Sequence, residues 1–231
     1  MSTQFAGLSN QFFRFLTDLQ KNNNREWFTE NKERYQKQIV TPMLEFMRLI
    51  QPKIAKISPH IIVKVKAHNG SLFRIYRDTR FSNDKTPYKT HVACHFRHEL
   101  GRNAHAPGLY VHFAPDEIRF GGGIWKPDSL ALGKLRDSIV DNANAWKSVK
   151  NRKAFKELTT GIQGDSLIRT PRGYSTDHQH IEDLKRKSFF AMHQSTMKVA
   201  KSADLLSEVE KSFKAISPLL DFIAFSLDLR Y

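Results

Sequence analysis

The sequence predicts an α+β fold, in which helices from both ends of the chain pack on a central, mainly antiparallel sheet at about residues 61–125. Apolar residues recur every three or four positions in the N-terminal and C-terminal thirds, whereas they alternate with polar residues in the middle third. Helices that are segregated from strands along the chain favour α+β over alternating βαβ units. No linker divides the 231 residues, so we expect a single domain, 1–231.

Cap residues mark the N-terminal helices. Ser9 precedes an apolar helical face, and Asn24 stands where it can cap the next helix. Thr41-Pro42 predicts a third helix that begins with a cap and a first-turn proline. Pro52 and Pro59 then bracket the close of this helical region.

Period-two alternation predicts the strands. It is present from Val63 to Ala67 and again from Thr90 to His98. The segments 109–113 and 118–120 flank Ala114–Glu117, which has the length of a four-residue hairpin loop. The sequence therefore predicts a meander that runs on into a glycine run.

The last third returns to helix. Pro127-Asp128-Ser129 starts one helix, and a loop with Gly and Pro follows from Gly161 to Tyr174. Phe189 to Gln194 predicts a short strand. The C-terminal segment carries apolar residues from Leu206 to Leu227 at spacings of three and four, which favours one face of a core helix over a coiled-coil seam because Pro218 interrupts it.

The net charge of +14 makes anionic partners the leading class: nucleotides, polyphosphates, acidic lipid and nucleic acid. The charge is spread along the chain, so general solubility is an equally good explanation. The single cysteine, Cys94, fits a reducing compartment. Residues 1–10 lack the pattern of a signal peptide, and no stretch is apolar enough for a membrane span, so we expect a cytoplasmic protein.

Several motif-like stretches occur in order along nearly the whole chain. They are Arg25-Glu26-Trp27-Phe28, the long stretch from Leu72 to His91, Gly121–Pro127, Gly164-Asp165-Ser166-Leu167 and Pro171-Arg172-Gly173-Tyr174. Together they resemble domain-of-unknown-function family 2461. The resemblance implies no activity, cofactor or catalytic residue. Asn83 stands where many relatives carry Lys, which removes one basic group from the long stretch.

The segment from Phe73 to His91 concentrates groups that can carry chemistry. Arginine suits bidentate capture of phosphate or carboxylate, and Asp78 and His91 are the acid–base candidates of the segment. An Arg–Asp ion-pair network that locks a loop is an equally good interpretation. The predicted ligand-binding residues here are Arg74, Arg77, Arg80, Lys85, Tyr88 and Lys89.

Gly121-Gly122-Gly123 frees three consecutive residues from side-chain restriction, so that the backbone can approach a ligand or form an anion-binding nest. Trp125 and Lys126 follow as further ligand-binding candidates. Neither a Walker spacing nor a dinucleotide fingerprint is present, so no cofactor is predicted. A bulge, or tight packing of Trp125 against the backbone, is the favoured structural interpretation of a lone glycine run.

Histidines crowd the middle of the chain. On a strand, His91 and His95 share a face but lie about 13 Å apart at the usual rise, which is too far for two ligands of one zinc ion. His98 would face the other way. We therefore predict no metal site.

These observations lead to one functional hypothesis and three alternatives. The hypothesis is a pocket beside the glycine run that binds a phosphate- or carboxylate-bearing ligand, in which the segments 74–91 and 121–126 meet. The alternatives are an enzyme that acts on such a ligand, a nucleic-acid-binding module without a readable motif, and a structural or adaptor protein without a site. The sequence does not specify an oligomeric state.

Overall fold

The centre of the molecule is a five-stranded antiparallel sheet in which each described strand pairs with the next one along the chain. The computed structural model describes residues 5–101 and 105–231, so the first four of the residues considered for a signal peptide lie outside it. The strand order is β1-β2-β3-β4-β5. The strands are Ile61–Ile62 (β1), Val92–His98 (β2), Gly108–Phe113 (β3), Ile118–Ile124 (β4) and Phe189–Ser195 (β5).

Helices precede and follow this sheet, which confirms the α+β prediction. On the N-terminal side they are α1 (Asn10–Lys21), α2 (Arg25–Glu30), α3 (Lys32–Tyr35), a π-helical turn (Gln36–Val40) and α4 (Thr41–Ile57). On the C-terminal side they are α5 (Ser129–Asp141), α6 (Ala143–Asn151), α7 (Lys153–Leu158), α8 (Ile181–Leu184), α9 (Met197–Ala200) and α10 (Leu205–Ser226). No described helix combines the length and the apolar composition that crossing a bilayer requires.

The predicted caps start three helices. The Ser9 side chain accepts a hydrogen bond from the backbone N–H of Phe12, and Asn24 accepts one from Trp27. Asp128 does the same for the first turn of α5. Each cap satisfies an N–H group that has no partner inside its own helix, so these local signals fixed the helix starts correctly.

The prolines interrupt the helices less than the sequence predicted. Thr41 caps nothing, because the π-helical turn leads into α4 without leaving helical geometry. Pro42 therefore lies inside a continuous helical run, and its missing N–H leaves a carbonyl of the preceding turn without a helical donor. Pro52 lies inside α4 and Pro218 inside α10, so neither ends its helix. In both helices the apolar face continues past the proline into the core, and this burial outweighs one lost backbone hydrogen bond.

The predicted strand from Val63 to Ala67 is wrong. Pairing with β2 stops after Ile62. The carbonyl of Lys64 instead accepts hydrogen bonds from the N–H groups of Lys66 and Ser71, which turns the chain back on itself. Apolar and polar residues do alternate in this segment, but its backbone groups form hydrogen bonds within the turn and not with a neighbouring strand.

The sheet has one face in the core and one face toward solvent. On the core side, α10 crosses the strands, and the rings of Phe96 and Phe213 meet edge to face at 6.2 Å. Phe113 and Phe120 are fully buried on this side. The opposite side carries half-buried polar residues at the alternate positions, such as Tyr110 and Arg119. This second face positions the candidate site.

Candidate functional site

A groove of about 700 Å³ runs over the solvent side of the sheet. Four aromatic side chains and Met192 supply its apolar walls, whereas two arginines and three histidines supply its polar groups. The aromatic residues are Phe73, Tyr110, Trp125 and Phe190, and the titratable residues are His91, His95, Arg97, His112 and Arg119. The volume lies within the range that holds small molecules in proteins.

Strand register places these residues side by side. His95 pairs with Tyr110, Tyr110 with Gly121, and Gly121 with Met192, so these four form one row across β2 to β5. The next row joins Arg97, Gly108, Gly123 and Phe190 by the same register. Because neighbouring strands lie about 4.8 Å apart, each row brings residues from distant parts of the chain into one groove.

Glycine in these rows makes room for the side chains beside it. A Cβ at Gly121 would overlap Sδ of Met192, and one at Gly108 would overlap Nε2 of His95. Gly123 has a φ of +141°, which other residues rarely adopt. The glycine run lies inside β4 rather than after it, and tight packing explains all three of its members, although the close neighbours belong to β3, β5 and α10 rather than to Trp125.

Burial keeps the three histidines of the groove uncharged near neutral pH. It lowers the pKa of His91, His95 and His112 to about 4 in each case. Neighbouring positive charge adds to the effect, from Arg97 at His95 and from Arg119 at His112. Neutral imidazole can both donate and accept a hydrogen bond, so these rings are polar lining without charge.

Tyr110 and two of the histidines form one connected group. The Tyr110 hydroxyl and Nδ1 of His112 lie 3.1 Å apart, and the His112 ring stacks on His91 at 4.5 Å. Burial raises the pKa of Tyr110 to about 12, so its hydroxyl stays protonated. The group therefore presents neutral donors and acceptors to the groove rather than an activated nucleophile.

The arginines are the positive charges of the groove. Arg119 is paired with Glu117, yet its Nε is buried and has no hydrogen-bond partner among the described residues. Arg97 is exposed, donates from Nε to Nδ1 of His95 at 3.2 Å, and pairs with no carboxylate in the described ranges. Both arginines line the groove, and a guanidinium suits bidentate hydrogen bonding to a carboxylate or a phosphate.

The predicted basic segment forms a separate arm, defined here as residues 74–91. Its two sides pair around Tyr76 and Tyr88, with backbone bonds from Arg77 to Pro87 and from Lys89 to Ile75. The Asn23 side chain donates to the carbonyl of Tyr88 and accepts from its N–H. Residues 78–86 form the exposed tip, where Phe81 is 95% exposed.

Most cations of the arm bind the arm itself. Arg77 contacts Asp84 and Thr86, and Arg80 pairs with Asp78 through two hydrogen bonds. Hydrogen bonds from Arg80 lower the pKa of Asp78 to about 2, and those from the backbone N–H of Thr86 and then from Arg77 lower the pKa of Asp84 to about 2. Two of the other three, Lys85 and Lys89, donate to the carbonyls of Thr79 and Arg74 respectively. The tip therefore contains an Arg–Asp ion-pair network, which is the structural alternative to a binding site that the sequence analysis gave for this segment.

The predicted site residues are thus divided between two places. His91, Gly122, Gly123 and Trp125 line the groove, and Gly121 lies beneath Met192. A second concavity, beside the corner between α1 and α2, is lined by Arg77, Lys85 and Tyr88. The remaining predicted residues line neither: Arg74, Asp78 and Arg80 lie in the arm, Lys89 is over the ring of Phe73, and Lys126 is over Trp125.

Comparison with known proteins places the chain in one family. Residues 11–222 match the model of a family described as "Conserved hypothetical protein (DUF2461)". The chain belongs to this family. The resemblance seen in the motif stretches is therefore confirmed. No curated protein and no solved structure matches this DUF2461 chain.

The sequence analysis missed Tyr110, Arg119, Phe190 and Met192 as lining residues of this DUF2461 protein. A signal was present, because Tyr110 and His112 alternate with the buried Leu109, Val111 and Phe113. Pairing that strand with the next one across the predicted hairpin would have placed Arg119 opposite His112. Polar residues on an alternating strand commonly form a solvated face, so the alternation alone does not indicate a groove.

One group of metal-capable side chains exists among the described residues, away from the groove. Ligand atoms of His60, His98 and Glu99 lie within 4.8 Å of one another. However, Nε2 of His98 is bonded to the carbonyl of Arg230 at 2.7 Å, and its Nδ1 accepts from the N–H of Leu100. His98 has no free lone pair in this arrangement, and the absence of a metal site stays a prediction.

Proposed function

We propose that this DUF2461 protein binds a small molecule with a carboxylate or phosphate group in the groove on the solvent side of its sheet. The observation that carries the proposal is the lining of the groove, which two arginines share with three uncharged histidines. No carboxylate among the described residues pairs with Arg97, so an anionic group in the groove would supply its partner.

The rest of the groove suits an apolar body attached to the anion. Trp125 is 60% exposed at the rim, and its ring lies 5.2 Å from that of Phe190. Phe73 lies on the far side, with its ring 6.4 Å from that of Tyr110. Aromatic walls with a few convergent polar groups are the usual composition of a small-molecule site.

Binding is favoured over catalysis by the protonation states. A general base works best with a pKa near the working pH, whereas the pKa of each groove histidine is about 4. The candidate pair of the enzyme hypothesis is divided, since His91 lines the groove and Asp78 is bound to Arg80 in the arm. Turnover, nucleic-acid binding and a purely structural role stay as alternatives to the proposal.

A thermal-shift screen tests the proposal. The screen contains organic acids, nucleotides, polyphosphate and short nucleic acids at low and at high salt. We expect an organic acid or a phosphate ester with an apolar part to raise the melting temperature at both salt concentrations. Nucleic-acid binding would instead fall steeply as salt rises.

Two variants localise any ligand that the screen finds. Arg119→Gln removes one of the two groove cations and is expected to reduce the affinity at least about tenfold. Arg80→Gln is the matched control, because it also removes an arginine that is paired with a carboxylate but lies outside the groove. Equal losses in the two variants would show that the ligand recognises general positive charge, and the proposal would fail.

A further inference from the structure

The second concavity brings together two parts of the chain that lie about fifty residues apart. It has a volume of about 790 Å³, and the residues 23–29 and 76–88 supply its described walls. The Asn23 side chain makes two hydrogen bonds with the backbone of Tyr88, at 2.9 and 3.0 Å. The Phe28 ring stacks on that of Tyr88 at 4.2 Å. The walls are therefore held by specific contacts.

Positive charge exceeds negative charge in these walls. Arg25, Arg77 and Lys85 line the concavity together with a single carboxylate, Glu26. Arg77 is already paired with Asp84. Neither Arg25 nor Lys85 forms an ion pair with any residue that the structure describes. Two cations in one concavity repel each other, so a bound anion would be stabilised there.

Tyr88 adds an independent indication of a ligand. The residue is only 5% exposed, yet its hydroxyl keeps access to solvent and has no hydrogen-bond partner in residues 5–101 and 105–231. Tyr76 and Arg25 line the concavity and both act on the pKa of this hydroxyl, which is raised mainly by burial and next by Tyr76 and is lowered by Arg25. The hydroxyl is therefore an accessible donor at the concavity, which an acceptor of a ligand can meet.

We propose that this concavity binds the phosphate group of a small molecule through Arg25, Lys85 and the Tyr88 hydroxyl. A phosphate monoester has up to two negative charges and three acceptor oxygens, which match two cations and a neutral donor. The volume leaves room for more than the phosphate group itself. The site is separate from the groove and does not depend on the function proposed for it.

Calorimetric titration of the full chain tests this site, with inorganic phosphate as the first probe and glycerol phosphate as the second. Chloride keeps the ionic strength constant, so that general screening does not change. We expect saturable binding of both probes, with the ester at least as tight as inorganic phosphate. Absence of saturable binding, or a weaker ester, would overturn the assignment to a small-molecule phosphate.

Variants assign the binding to named groups. Tyr88→Phe removes only the hydroxyl and keeps the stacked ring, and we expect an affinity loss of about three- to tenfold. Arg25→Gln with Lys85→Gln removes both cations and is expected to weaken binding by more than about tenfold. Arg80→Gln is the control, because Arg80 belongs to the same arm but does not line the concavity. The proposal fails if Arg80→Gln weakens binding as much as the double variant, or if Tyr88→Phe binds phosphate like the wild type.

Discussion

The groove and the tip of the arm are both rich in hydrogen-bonding and cationic groups, but they use them in opposite ways. In the tip, Arg77 and Arg80 are neutralised by Asp84 and Asp78 within the same loop. In the groove, burial keeps the histidines neutral and leaves the Nε of Arg119 unpartnered. The two Arg–Asp pairs of the basic motif therefore brace a loop, whereas Arg119, whose buried Nε has no partner among the described residues, lies on a strand that looks ordinary in the sequence.

The largest expected effect concerns the groove floor. Gly123→Ala forces a side chain into a φ of +141° and against the Phe189 carbonyl, so we expect a loss of more than about 3 kcal/mol in the free energy of unfolding. Gly133→Ala is the control, since a Cβ at this position in α5 meets nothing within 4 Å and should stabilise the protein by about 0.5–1 kcal/mol. Urea denaturation measures both. A tolerated Gly123→Ala would show that the close approach of β4 and β5 is not required.

Acid titration separates the two regions. Each groove histidine has a folded-state pKa of about 4 against an ordinary value of 6.5, so the unfolded state binds more protons between these values. Stability is therefore complete above about pH 6.5 and falls as the pH decreases toward 4, by about 1 kcal/mol per histidine after allowance for partial exposure. Urea midpoints from pH 7.5 to 4 measure this.

The arm should respond at lower pH. Its aspartates have a pKa of about 2 against an ordinary 3.8, so their ion pairs persist through the histidine window and are lost only below about pH 3.8, with little effect on global stability because they lie in solvent. His91→Gln with His112→Gln should flatten the upper window only. An unchanged slope between pH 6.5 and 4 in this double variant would contradict the assignment of that window to the groove.

An intermediate effect is expected where the arm joins the body. Asn23→Ala removes both hydrogen bonds to the backbone of Tyr88 and should cost about 1–2 kcal/mol, mainly as local opening of the arm. Amide hydrogen exchange of residues 75–77 and 87–89 measures the opening. Asn22→Ala is the comparison, because the Asn22 side chain bonds only the Asp18 carbonyl within its own helix end. Equal exchange in the two variants would argue against Asn23 as the anchor of the arm.

The smallest expected effect is at the exposed tip. Arg80→Gln should leave the melting temperature unchanged within error, because its pair with Asp78 lies in solvent. Calorimetric melting at low and high salt checks this. A clear drop would mean that the tip network supports the fold as a whole, which would make the arm more than a locally braced loop.

Local signals in the sequence predicted much of the fold and little of the site. Ser9, Asn24 and Asp128 fixed helix starts because a cap depends on residues within one turn. Short-range patterns predicted a helix start at Thr41 and a strand from Val63 to Ala67. The structure instead has a π-helical turn before Thr41 and a turn back after Ile62, and both depend on distant packing. The groove depends on register between four strands, so His95 and Met192 could be brought together only by the folded sheet.

The most direct test of the central claim is the response of the three tryptophan indole N–H resonances to the most stabilising organic acid of the screen. Trp125 is 60% exposed and lines the groove, and Trp146 is fully buried in the core. Trp27 lies in α2, two residues after Arg25 of the second concavity. The account predicts that the acid shifts the Trp125 resonance saturably and leaves those of Trp27 and Trp146 in place. A stabilising acid that shifts Trp27 but not Trp125, or none of the three, would contradict a ligand site in the groove.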